Sequence, residues 1–160
     1  MAQVIITDQQ VISTSWREWS RTIGFGAATG LIFWLLTVLL QRYVIDPLVC
    51  RQLINATLCA NSTPLAGNIA AILTAAIAVV FLVRAQIARP IILAVATAAL
   101  LWDLALWTNG LFWLEAVVWS VVLYALCYAL FAWITRYATL WVTVVLSLLI
   151  IVIIRIALVL

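Results

Sequence analysis

The chain has no histidine and no lysine, and only five acidic residues among 160. The absence of histidine removes the commonest metal ligand and the commonest general base at neutral pH. Histidine-held haem, a zinc site with histidine ligands and a Ser-His-Asp triad are therefore excluded within this chain. No glycine-rich phosphate loop, metal-ligand constellation or GxSxG elbow is present either. Serines and threonines lie within apolar runs (Thr29, Thr37, Thr74, Thr97, Ser120, Ser147) without a histidine partner. Such hydroxyls are expected to bond back to their own helix or across to a neighbour. No cofactor and no enzymatic activity are expected. Three prolines and five glycines leave few breakpoints. Neither residue type interrupts the centres of two matching runs, so the sequence lacks the broken-helix signature of many transporters.

Charge is scarce as a whole. Only 8% of residues are charged and 69% are hydrophobic, with a mean hydropathy of +1.30. A soluble domain could not cover itself with so few charges. The fold class expected is an all-α membrane protein: about five transmembrane helices preceded by a short N-terminal interfacial amphipathic helix. The bilayer is the expected surrounding. The net charge of +3 is read through its placement along the chain, not as a nucleic-acid signal.

Residues 1–14 are mixed and polar, without the basic start and short apolar core of the usual signal peptide. Ser15 to Glu18 match a capping box, which starts a helix. Trp16, Trp19 and Ile23 then fall on one helical face and Arg17 and Arg21 on the other, the pattern of an interfacial helix. One membrane domain accounts for the whole chain, with spans at about 23–40, 65–83, 90–107, 111–134 and 138–160. A polar outer loop is expected at 41–64. In the first span, Gly26 and Gly30 form a GxxxG match. In the second, Ala66, Ala70, Thr74 and Ala78 make a small-residue stripe. Both are close-packing faces, and packing within the chain is favoured over dimerisation.

Orientation follows from the arginines. With the N-terminus in the cytoplasm, Arg17, Arg21, Arg84, Arg89 and Arg136 lie inside, and Arg42, Arg51 and Arg155 lie outside. The positive-inside bias favours this arrangement. It also puts Cys50 and Cys59 outside, where a disulfide between them could persist. Cys127 falls within the fourth span and reads as a small apolar residue. The compact chain and short loops suggest a bacterial inner membrane.

Asp103 and Glu115 flank the turn at Asn109-Gly110, and Arg155 lies near the end of the last span. Helical rise places all three at one depth, near the outer boundary. Three readings compete. Arg155 bridges both carboxylates in a structural network, since intramembrane charges usually pair. One of the acids serves as a proton or cation site with a raised pKa. Or both acids are wet at the interface, beside an aromatic belt of Trp102, Trp107, Trp113 and Trp119. The function expected is a non-enzymatic membrane subunit acting by helix packing with other integral membrane subunits or as a homo-oligomer. The alternative is a small proton- or cation-coupled transporter or channel protomer.

Overall fold

The computed structural model describes residues 16–50, 62–85, 89–137 and 140–159, and every regular element among them is a helix. Helix α1 spans Trp16–Leu40 and continues as a wider, π-type helix, π1, over Gln41–Cys50. It is followed by α2 (Ser62–Arg84), α3 (Pro90–Leu100), the short α4 (Leu104–Trp107), α5 (Trp113–Tyr137) and α6 (Leu140–Val159). Four helical stretches are long and apolar enough to cross a membrane: Trp19–Leu48, Ser62–Arg84, Pro90–Trp107 and Trp113–Thr135. A shorter apolar stretch covers Trp141–Ala157. The chain is an all-α bundle of the integral membrane class.

Helices α1, α2, α3 and α5 close a ring. α1 packs most extensively on α5 and also on α2, α2 packs on α3 and α4, and α3 packs on α5. Helix α6 lies outside the ring in the groove between α3 and α5. The bundle is ordered inside-out relative to a soluble protein. Its interior holds Ala66, Ala70, Thr74, Thr97, Ser120 and Thr143 beside Phe33, Tyr124, Tyr128 and Phe131, whereas leucine, valine, isoleucine and tryptophan dominate the outside. Lipid tails are as apolar as leucine. Association between helices therefore depends on close packing and hydrogen bonds, and small residues go inward.

The α1–α5 seam shows this most plainly. A Cβ on Gly26 would stand 2.8 Å from Ala125 Cα, and one on Gly30 would stand 2.5 Å from the Ser120 carbonyl oxygen. Both obstacles are backbone, so the GxxxG face is used inside the chain. The α2 stripe is likewise interior: Ala66, Ala70, Thr74 and Ala78 are all buried. Interior hydroxyls mostly bond back one turn. Thr29 donates to Phe25 O at 2.7 Å, Thr37 to Phe33 O at 2.8 Å, Thr97 to Leu93 O at 2.8 Å and Ser120 to Ala116 O at 2.7 Å. These bonds satisfy each hydroxyl where no water is available.

Several expected boundaries move. The N-terminal amphipathic stretch and the first span form one uninterrupted helix from Trp16. The polar loop expected at 41–64 is helical through Cys50 and again from Ser62. Pro47 lies inside π1. In a regular α-helix its ring would clash with the carbonyl four residues back, and the wider turns relieve that clash. The hairpin at Asn109-Gly110 is present, with Gly110 at φ +88°, a backbone conformation that favours glycine. The expected third span, 90–107, is not one helix: it breaks at Leu101–Asp103.

Candidate functional site at the break in the third span

No proline or glycine causes this break. Leu101 N–H still reaches Thr97 O at 3.0 Å, as in an α-helix. The next bonds shorten by one residue: Leu104 N–H to Leu101 O at 3.1 Å and Leu106 N–H to Asp103 O at 3.0 Å. Leu101 and Asp103 sit at φ −97°, ψ 21° and φ −100°, ψ 22°, away from regular helix. Ala99 O and Trp102 O are among the carbonyls that lose the partners a continuous helix would supply. Ala99 O would have accepted from the Asp103 N–H, and Trp102 O from the Leu106 N–H.

Side chains from two other helices take their place. Arg155, on α6, donates through Nη2 to Ala99 O at 3.3 Å. Through Nη1 it also pairs with the Asp103 carboxylate. One guanidinium thus replaces the missing helical donor and neutralises the acid beside it, a task suited to its several fixed N–H groups. Asn68, on α2, faces the other side of the break. With its amide oriented to match donors with acceptors, it donates to Trp102 O at 2.6 Å and accepts from Trp102 Nε1 at 3.2 Å. Gly67, the preceding residue, makes that approach feasible: a Cβ there would lie 2.1 Å from Ala105 Cβ on α4. The break is therefore clamped by a charge pair on the α6 side and by a reciprocal amide–indole pair on the α2 side.

The depth of this clamp can be read from the helices around it. Gln41 Nε2 donates to Thr63 Oγ1 at 2.9 Å, so the end of α1 meets the start of α2. Twenty residues back from Gln41 is Arg21, and 21 on from Thr63 is Arg84. Both separations are ~30 Å of helix, the thickness of a hydrocarbon core. Arg21 and Arg84 therefore mark one boundary, and Gln41 and Thr63 the other. Arg89 lies at the arginine end and donates to the buried Thr143 Oγ1 at 2.7 Å, tying α6 to the start of α3. Arg155 is 12 residues beyond Thr143, or ~18 Å along α6. The Asp103–Arg155 pair is thus well inside the apolar zone, toward the Gln41–Thr63 side.

Of the three charges expected together, the structure joins Asp103 and Arg155 and leaves Glu115 apart. Glu115 is exposed in the first turn of α5, and no ion pair to it occurs among the described residues. A helix N-terminus stabilises a carboxylate without a cationic partner, which accounts for the difference. The expected bridging of both acids by Arg155 is corrected accordingly. As the sequence indicated, no glycine or proline interrupts this span; the one break arises through hydrogen-bond exchange instead. Trp102, Trp107, Trp113 and Trp119 all expose a large part of their rings at this end of the bundle. The Cys50 and Trp16 side chains and the whole of Cys59 lie outside the described residues, and so does the expected disulfide. Cys127 is buried with a free thiol. Asn68 was not singled out from sequence. The available signal was an amide inside an apolar span, which needs a partner as a charge does.

No group of three or more potential metal-binding side chains occurs among the described residues. Compared with known proteins, the chain matches no family model, no curated protein and no solved structure.

Proposed function

We propose that the chain is a non-enzymatic, multi-pass membrane subunit that acts by helix packing within a larger membrane complex. The observation that carries this reading is the use made of Asp103 and Arg155. They satisfy each other and a freed backbone carbonyl, as in a structural clamp. Helix α6 supports the same reading. It touches the ring on one side only and presents Trp141, Val145, Leu148, Leu149, Val152 and Ile153 outward. In the orientation we propose, the N-terminus is cytoplasmic and the C-terminus is outside, in a bacterial inner membrane. The five arginines expected inside then obey the positive-inside rule. Cys50 and Cys59 fall on the oxidising side, where the proposed disulfide would persist.

The test is purification in mild detergent at native expression level, followed by mass spectrometry. Stoichiometric copurification of other membrane chains is the expected result. A clean monomer would sink the subunit reading.

A second reading has its own observation. Discontinuous membrane helices with freed carbonyls beside a carboxylate are a setting for proton or cation handling, and the break at Leu101–Asp103 has that form. Under this alternative Asp103 carries the ion and Arg155 is its counter-charge. An Asp103→Asn protein that folds but no longer conducts protons or cations into liposomes would establish it. Equal flux with and without Asp103→Asn would end it.

A further inference from the structure

A groove runs between α1 and α2 on the outside of the ring, away from the clamp. It encloses about 160 Å³, is open along one side and is lined by residues that include Phe25, Ala28, Ile32, Thr74, Ile77 and Phe81. Its walls have a definite direction. On α1, Arg21, Phe25, Ala28 and Ile32 recur at steps of three and four residues. On α2, Thr74, Ile77, Phe81 and Arg84 do the same. Residues so spaced share one helix face. About one turn beyond the groove each of these faces therefore carries an arginine, and the antiparallel packing brings both arginines to the same boundary. Arg21 and Arg84 are exposed.

The length is as informative as the charge. Thr74 is 10 residues from Arg84, and Ile32 is 11 from Arg21, so the far end of the groove lies ~15 Å inward from the arginines. That is half of a ~30 Å hydrocarbon core, or one leaflet. We propose that this groove is a binding site for an anionic phospholipid. One stretch of acyl chain lies between Phe25 and Phe81, and the headgroup phosphate lies between Arg21 and Arg84. Charge complementarity selects the occupant. A phosphate without compensating positive charge on its own headgroup accepts from guanidinium groups at the boundary, whereas a zwitterionic lipid brings its own cation. Among the described residues, the opposite end of the bundle lacks the combination. Its described charges include Asp46 and Glu115 beside Arg42.

The test uses native mass spectrometry of the full chain, released from detergent with added phosphatidylglycerol or phosphatidylcholine of identical acyl chains. Retention of one phosphatidylglycerol in preference to phosphatidylcholine is expected. Arg21→Gln with Arg84→Gln should lower that retention about thirtyfold, as two juxtamembrane charges worth about 1 kcal/mol each are lost, and Arg42→Gln should leave it unchanged. Ala28→Trp, which fills the groove from an exposed position, should lower retention with both arginines intact. Equal retention of the two lipids would overturn the proposal, as would retention indifferent to the paired arginine change. If Ala28→Trp instead disrupted copurification of another chain while phosphatidylglycerol retention held, a partner helix would occupy the groove and the lipid site would be refuted. Circular dichroism and size-exclusion profiles of each variant separate loss of lipid from loss of fold.

Discussion

The α1–α5 seam and the broken third span solve the same problem by opposite means. At the seam, helices approach because side chains are missing: Gly26 and Gly30 let backbone meet backbone, with Ser120 O where a Cβ would go. At the break, backbone is freed from its own helix and side chains from α2 and α6 are brought in to satisfy it. The seam depends on shape, and its failure would push helices apart. The break depends on polar pairing where water is excluded, and its failure would strand a charge. Removing one partner of such a pair costs more than a misfit, which sets the order of the expected effects.

The largest effect is expected at Arg155. Arg155→Leu leaves the Asp103 carboxylate and Ala99 O without their partner. A loss of about 3–5 kcal/mol follows, the range for a buried pair that loses one partner. Reversible unfolding in mixed micelles measures it. The double change Asp103→Leu with Arg155→Leu should recover most of the loss, since paired charges replaced together by apolar groups cost little. If the double variant is as unstable as the single one, the pair is not a clamp.

Next comes the seam. Gly30→Ala should destabilise by about 1–3 kcal/mol, the cost of overpacking against atoms that cannot move independently. Gly24 supplies the control on the same helix, because a Cβ there meets nothing within 4 Å. Gly24→Ala should be neutral or stabilising by up to about 1 kcal/mol through helix propensity. Equal effects at the two glycines would show that the α1–α5 contact does not depend on close approach.

Asn68→Ala removes two hydrogen bonds on the α2 side of the break. Its expected cost is about 1 kcal/mol, from roughly 0.6 kcal/mol per interhelical bond in a membrane. The Trp102 indole should also shift its fluorescence on losing its acceptor, a change a purely steric effect would not produce. Glu115→Gln should be the smallest, within about 0.5 kcal/mol, as for an exposed site with only a helix terminus to favour its charge. A large effect at Glu115 would restore it to the charge cluster.

The close-packing faces were largely legible in the sequence, because GxxxG and the alanine stripe act through size, and size is written in the residue type. The spans were legible for a similar reason: apolar length against bilayer thickness is a property of each segment alone. The pairing of Asp103 with Arg155 could be anticipated from their common depth. The break itself could not. Leu100-Leu101-Trp102-Asp103 carries no glycine or proline, and its local pattern reads as helix. Pro47 misled in the other direction, since a proline that reads as a loop signal sits inside wide helical turns. Glu115 was grouped with the other charges by depth, although its place in the first turn of α5 already offered it the helix terminus.

The sequence by itself determined that this chain is an apolar helical bundle, roughly where its apolar spans lie, and which helix faces are small. Hydropathy, spacing and side-chain size are local quantities. Only the tertiary structure decided that α1 seats its glycines on α5, that the third span opens at Leu101–Asp103, and that Glu115 stands apart. Each of these depends on what another helix presents at that depth. A carbonyl leaves its own ladder only when a guanidinium or an amide from elsewhere in the chain is there to receive it.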